Sequence, residues 1–319
     1  MKPSVSIVIP IYNEIENVDE LVARIDQALA PGGIAFEAVL VDDGSKDGTG
    51  VRLAELATSR VWLKPIYLAR NYGQSTAMQA GFDAAQGDVI VTLDGDLQND
   101  PSDIPRLLEM LDSEPDIDIL SGWRKDRQDA ALKRKLPSRI ANGLISKVTG
   151  VSLHDYGCSL KVYRRGALTN VRLYGELHRF VPALAHQFGA RVKEVVVQHH
   201  ARQRGTSKYG IDRTLRVILD LLLVQFLSRY LQRPIQFFGG IGTLLMLVGG
   251  VILSYLFALK LGGTDIGGRP LLLGGAFMML VGVQLVGMGL LGEILVRIYH
   301  EPYGRSQYLV RTTPRPAVK

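Results

Sequence analysis

Cysteine is almost missing from this 319-residue chain, where Cys158 stands alone. That excludes a disulfide framework and a cysteine-based metal site, and leaves Cys158 as a packing residue. No GxGxxG follows a strand-like run and no GxxxxGKS or GxxxxGKT occurs, which argues against nicotinamide, flavin and P-loop sites. His178, His199 and His200 do not form an HExxH-like spacing, so structural roles are expected for them rather than zinc ligation. The run SVSIVIPIYN starts at Ser4 without the charged, apolar, small-residue order of a secretory leader. Charge itself is missing from two long stretches, the 25 residues Ile235–Leu259 and the 22 residues Leu271–Gly292. Each is long enough to cross a bilayer as a helix.

The charge that is present is uneven. The formal net charge is +6, with eight Lys/Arg against two Asp between Arg124 and Lys147, and five against one between Ala201 and Arg216. Such clusters point to an anionic partner: nucleic acid, a phosphorylated ligand or acidic lipid. With two spans in the chain, lipid phosphates and the inner leaflet explain the charge better than nucleic acid does. The short loop Lys260–Pro270 has two basic residues, whereas Arg229, Arg233, Arg297, Arg305, Arg311 and Arg315 flank the hairpin on its other side. The positive-inside rule then puts both termini in the cytoplasm and the loop outside. Within Ile211–Tyr230, Arg213, Arg216 and Asp220 recur at helical spacing in an otherwise mostly apolar segment, a pattern suited to a helix in the membrane interface. Gly242 and Gly249, and Gly275, Gly282 and Gly289, recur every seven residues, making small-residue stripes for close helix contact within the hairpin or between subunits.

From Ser4 to about Leu120 the pattern alternates. Apolar runs at Val5–Ile11, Ala38–Val41, Ile66–Ala69, Val89–Leu93 and Ile117–Leu120 alternate with amphipathic stretches at Val18–Leu29, Gly50–Thr58, Thr76–Ala85 and Ile104–Leu111. This is the βαβ rhythm of an α/β fold with a mostly parallel sheet. In such sheets ligands sit at the carboxyl ends of the strands, where PIYNE, DDGSKDGT, ARNYGQ and DGDLQ all fall. Asp94 and Asp96, one residue apart with Gly95 between them and Gln98 beyond, offer only hard oxygen ligands; that suits Mg²⁺ or Mn²⁺ holding a substrate phosphate. Asp42, Asp43 and Glu14 are candidates to accept hydrogen bonds from a base or ribose, although Asp42 and Asp43 would also suit a turn.

VSIVIPIYNE, VLVDDGSKDGT, LARNYGQSTAMQAGFDAAQGDVIVTLDGDLQNDP and SGWR together resemble the inverting family-2 glycosyltransferases of GT-A fold. HRFVP, RQRGTSKYG and the terminal hairpin narrow the resemblance to polyprenyl-phosphate glycosyltransferases, and it covers nearly the whole chain. The resemblance implies a cytoplasmic GT-A domain over residues 1–210, an interfacial juxtamembrane segment over 211–233, a transmembrane hairpin over 234–297 and a tail over 298–319. It implies transfer of one sugar from a nucleotide-sugar to a membrane polyprenyl phosphate, with Mg²⁺ or Mn²⁺ as cofactor, at the inner (cytoplasmic) membrane. On that resemblance Pro10, Tyr12, Glu14, Asp42, Asp43, Asp94 and Arg124 face the donor, and Asp94, Asp96 and Gln98 hold the metal. Arg134, Ser138 and Ser207 meet the acceptor phosphate. Arg202 and Lys208 belong to a loop closing over the diphosphate, and Asp155 matches a proposed catalytic carboxylate. A phosphomonoester nucleophile has its second pKa near ~6, so it needs no strong base, and Asp155 is expected to position rather than abstract a proton.

UDP-glucose is the first expectation for the donor, on the likeness of the short two-span tail to the bacterial glucosyl type. GDP-mannose, UDP-N-acetylhexosamine and UDP-aminoarabinose are the alternatives. A processive polysaccharide synthase would carry QxxRW and more spans, and neither Trp62 nor Trp123 lies in that context. A non-catalytic membrane scaffold would not need the intact Asp94, Asp96 and Gln98. Homo-oligomerisation is expected from the glycine stripes.

Overall fold

The computed structural model describes residues 3–125, 146, 149–173, 175, 177–200 and 234–300. The apolar runs become strands: β1 (Val5–Ile11), β2 (Phe36–Asp42), β3 (Leu63–Tyr67), β4 (Val89–Thr92), β5 (Ile119–Trp123), β6 (Lys161–Arg164) and β7 (Val192–Val196). They form one sheet in the order β3-β2-β1-β4-β6-β5-β7. Every neighbouring pair is parallel except those made by β6, which runs antiparallel to both β4 and β5. The crossovers are α1 (Val18–Leu29), α2 (Thr49–Thr58), α3 (Gln74–Ala84) and α4 (Asp103–Ser113), with α5 (Val181–Gln187) before β7. This is the expected α/β, mostly parallel architecture.

Both faces of the sheet are covered, which is why β1 and β2 are mostly apolar rather than alternating; the buried Ser6 and Glu37 within them bond each other at 2.6 Å. Strand periodicity still sorts the residues. Ile7, Ile9 and Ile11 of β1 pack with Leu21 and Ile25 of α1 and Leu107 and Leu111 of α4. Val8 of β1 and Val39 and Val41 of β2 lie on the other face, in the cluster of Met78 and Phe82 of α3 with Tyr156 and Phe180. In α1 the buried set Val18, Leu21, Val22, Ile25 and Leu29 follows helical spacing, the mark of one stripe against a core.

Three local expectations shift. The run Ile66–Ala69 meets its strand only at Ile66 and Tyr67, because pairing with β2 begins at Leu63 and ends where Tyr67 meets Asp42. The run Ile117–Leu120 enters its strand only at Ile119, because Ile117 closes a turn on Glu114 and Asp118 is occupied by the Arg191 backbone N–H at 2.7 Å. Lys161–Arg164 is a strand although its four residues carry a charge at each end. The basic stretch 126–145 and the segment 201–233, where the interfacial helix is expected, lie outside the described residues.

The chain divides into two compact units. The second contains α6 (Pro234–Leu261) and α7 (Pro270–His300), both long and apolar enough to cross a membrane. They pack as an antiparallel hairpin along the glycine stripes. A Cβ on Gly242 would lie 2.6 Å from the Gly282 carbonyl, one on Gly249 2.8 Å from the Gly275 carbonyl, and one on Gly289 3.1 Å from the Ile235 Cα. Each step of seven back along α6 meets seven forward along α7. The stripes therefore serve the contact within the hairpin, one of the two uses open from sequence.

Candidate active site at the switch point of the sheet

The strand order reverses beside β1: the chain builds outward through β2 and β3, then returns to place β4 on the opposite side. The crevice at the carboxyl ends of β1 and β4 is where ligands bind in such sheets. Three loops are tied together there. Asn13, whose φ of 52° is left-handed, donates its N–H to Ser45 Oγ at 2.8 Å and accepts the Lys46 N–H on Oδ1 at 2.8 Å. The Glu14 N–H reaches Thr49 Oγ1 at 3.0 Å. Asp43 accepts the Tyr72 and Gly73 N–H groups at 2.7 and 2.8 Å, fixing the ARNYGQ loop to the end of β2. Gly44 is required at this crossing: its φ is +69° and a Cβ would meet the Arg70 carbonyl carbon at 2.5 Å. Asp42 is buried and caps the turn by accepting the Ser45 N–H at 3.0 Å. Pro10, Tyr12 and Glu14 are partly exposed along the rim, and Glu14 also accepts from the Asn17 amide at 2.6 Å.

Beyond β4 buried and partly exposed residues alternate. Gly95, Leu97 and Asn99 are buried, while Asp94, Asp96, Gln98 and Asp100 keep partial exposure. Leu97 adopts a left-handed φ of 60° within this turn. Asp94 accepts from the Gln74 amide at 2.7 Å. Burial, and then the adjacent Asp96 charge, push the Asp94 carboxyl up from the usual range, against the opposing pull of Arg124 and Lys161. A carboxylate whose ionisation is disfavoured by burial, with a second one crowded beside it, fits a hard divalent cation, which needs one or two carboxylates and completes its shell with substrate oxygens. Among the described residues no cluster of three His, Cys, Asp or Glu forms a fuller metal cage. The Gln98 N–H donates to Asp96 Oδ1 at 3.3 Å, and its carbonyl accepts the His200 N–H at 2.8 Å. His200 pairs with Asp100 at 2.9 Å, and His178 with Ser75 at 2.9 Å.

On the other side of β4, Arg124 and Asp155 form a two-pronged pair at 2.7 and 3.0 Å. Their side chains are only 9% and 11% exposed. Burial disfavours the Arg124 charge, but the pairing with Asp155 outweighs it and raises its pKa. Asp155 is itself held from below. Glu194 of β7 accepts the His154 and Asp155 N–H groups on one oxygen, at 2.7 and 3.0 Å, and contacts the His154 ring at 2.7 Å with the other. His154 in turn stacks on Trp123 at 4.4 Å. Asp94, Asp96 and Gln98 thus follow β4, Arg124 follows β5, and Asp155 lies in the turn before the reversed strand β6, while Pro10 and Asp42 stand at the ends of β1 and β2 and Tyr12, Glu14 and Asp43 in the loops after them. Arg134, Ser138, Arg202, Ser207 and Lys208 lie outside the described residues. Gln74 and Glu194 were missed because their contacts span 20 to 40 residues of chain, and Lys161 because its ammonium bonds only carbonyls three and five residues back, which no local motif marks.

The sequence model for "Glycosyl transferase family 2" matches residues 6–172. A dodecaprenyl-phosphate galacturonate synthase of Rhizobium johnstonii is 47% identical, covering 96% of this chain and 91% of that protein. An undecaprenyl-phosphate 4-deoxy-4-formamido-L-arabinose transferase of Edwardsiella ictaluri is 40% identical, covering 98% and 94%. Among solved structures, glucosyl-3-phosphoglycerate synthase of Mycobacterium tuberculosis in complex with Mn²⁺, UDP and phosphoglyceric acid superposes with a TM-score of 0.56 at 16% identity, over 71% of this chain and 78% of that one. The same enzyme with Mg²⁺ and UDP gives 0.55 at 17% identity, over 71% and 79%. At that identity the likeness concerns the fold, which is of GT-A type.

Proposed function

This chain belongs to glycosyl transferase family 2, within it to the polyprenyl-phosphate glycosyltransferases, and from that premise we propose that it transfers a single galacturonic acid residue from its UDP donor to a membrane polyprenyl phosphate. The observation that carries the donor is the 47% identity to a galacturonate synthase along 96% of the chain. A 4-deoxy-4-formamido-L-arabinose donor is the second reading, on the 40% relative. Galacturonate was not among the donors weighed from sequence, and UDP-glucose gains no support from the named relatives.

The proposed division of labour follows the geometry. The β1 and β2 loops, with Pro10, Tyr12, Glu14, Asp42 and Asp43, take the nucleoside. Asp94 and Asp96, with Gln98, hold Mg²⁺ or Mn²⁺, which when bound offsets the charge gathering on the departing diphosphate. Arg124, fixed by Asp155, presents a cation to the same phosphates or to the acceptor. Asp155 has both oxygens committed to Arg124, and a phosphomonoester with a second pKa of ~6 is already largely dianionic at neutral pH. Asp155 therefore orients Arg124 and removes no proton. Attack by the lipid phosphate oxygen on the anomeric carbon, with the nucleoside diphosphate leaving from the opposite face, inverts the centre. Arg134, Ser138 and Ser207 are assigned to the acceptor phosphate, and Arg202 and Lys208 to the closing loop.

The proposed organisation keeps residues 1–210 and the tail 298–319 in the cytoplasm, with 211–233 at the interface and 234–297 crossing the inner membrane. The test is a donor competition with undecaprenyl phosphate and equal UDP-galacturonate, UDP-glucose, UDP-N-acetylhexosamine, UDP-formamidoarabinose and GDP-mannose, read by lipid mass. UDP-galacturonate is expected to dominate the product, and preference for any other donor would overturn the donor assignment.

A further inference from the structure

Register across four strands aligns a row of polar residues beneath the site. Thr92 of β4 pairs with Lys161 of β6, Lys161 with Ser121 of β5, and Ser121 with Glu194 of β7. Directly paired residues share one face of a sheet, so the four lie side by side on the face whose lower rows are apolar, including Ile90, Ile119 and Tyr163. Thr92 donates to the Ser159 carbonyl at 2.8 Å. Lys161 is 3% exposed, and its ammonium donates to the Cys158 carbonyl and, at 3.4 Å, to the Tyr156 carbonyl. Ser121 is fully buried, and its hydroxyl has no partner among the described residues.

Stability alone does not account for this row. A buried ammonium carries a heavy desolvation cost, and apolar residues of similar volume often do as well or better. Here burial lowers the Lys161 pKa, while Asp155 and Asp94 act on it in the opposite sense. What the ammonium holds is the turn 155–160, whose first residue orients Arg124 and which passes beside Asp94 at Ser159. Glu194, at the far end of the row, grips the same turn by its 154 and 155 N–H groups.

Resting on the sugar-transfer reading above, we propose that Lys161 is a positioning residue for that reaction: it ties the 155–160 turn back onto β6, the strand paired with β4 at Thr92 just before Asp94, setting the Arg124–Asp155 pair against the Asp94–Asp96 pair. It touches no substrate. The coupling to Asp155 separates this role from a merely structural one.

The test uses the full chain in detergent with undecaprenyl phosphate and its best donor. Lys161→Met is expected to lower kcat about 30-fold with donor KM changed less than about threefold, as for a misplacement of roughly 1 Å. Lys161→Arg restores most of the rate. Combined with Asp155→Asn, Lys161→Met adds no further loss, since both act through one turn. A Lys161→Met rate within about threefold of wild type, or losses that multiply with Asp155→Asn, would overturn the role. If Lys161→Met does not fold by gel filtration and thermal unfolding, Lys161→Gln, which keeps an N–H donor, is read the same way; failure of both to fold assigns Lys161 to stability alone and overturns the proposal. An inactive wild type overturns the sugar-transfer reading and this role with it, whereas an active wild type with an indifferent Lys161 overturns only the role.

Discussion

The Arg124–Asp155 pair depends on a flat, forked cation meeting a carboxylate with both prongs at 2.7 and 3.0 Å. A lysine offers one point charge and cannot span both oxygens. Arg124→Lys is therefore expected to cost about tenfold or more in kcat although the formal charge is unchanged, because the pair loses its orientation; steady-state rates at saturating donor check it. His178 tests burial at the same scale. Burial first, then Arg179 and Lys161, pull its pKa from 6.5 down to about 3. The folded state keeps the ring neutral while the unfolded chain protonates it below pH 6.5, so its share of stability is full above that pH and is lost as pH falls toward 3. The slope approaches about 1.4 kcal/mol per pH unit in that window. His178→Asn is expected to unfold at a temperature less sensitive to acidification between pH 6.5 and 4.5, measured by thermal scans; an unchanged acid limb would contradict the assignment. These side chains also mark where sequence reading stops. Asp94 and Asp96 announce themselves by following an apolar run, but Gln74, Lys161 and Glu194 look like ordinary polar residues until the strands are paired.

At the scale of elements, the first half was legible because each strand ends in a polar turn and each crossover helix shows one apolar stripe. α1 begins and ends where its periodicity does. The reversed strand β6 was not legible: four residues with a lysine at one end and an arginine at the other carry no period, and only its place between β4 and β5 makes them a strand. The hairpin was legible in outline, since charge-free length defines a span, but the partner of the glycine stripes was decided by packing. That packing makes a sharp contrast. Gly282→Ala puts a Cβ 2.6 Å from the Gly242 carbonyl, whereas Gly274→Ala meets nothing within 4 Å. The first is expected to destabilise the hairpin by about 1–3 kcal/mol and the second to be nearly silent, as read from unfolding temperature in detergent. Equal effects would mean the helices do not meet along this seam.

For the whole molecule, charge and hydropathy together describe a catalytic unit and a two-span membrane unit in one chain. On the proposed positive-inside orientation, residues 262–269 lie outside and the catalytic unit inside. The native cysteine leaves the background quiet, since Cys158 is fully buried and burial raises its thiol pKa. Gly267→Cys is expected to react with a membrane-impermeant maleimide in intact cells, and labelling only after lysis would contradict that topology. The central claim is that the carboxylates at the switch point serve the transfer of one sugar to a lipid phosphate. The direct measurement is the mass of the lipid made from undecaprenyl phosphate and donor by wild type and by Asp96→Ala, both shown to be folded. Wild type should yield a single species, the starting lipid phosphate plus one sugar residue, and Asp96→Ala about 10²–10³-fold less. A ladder of masses, no lipid product with any donor, or equal product from Asp96→Ala would contradict the claim.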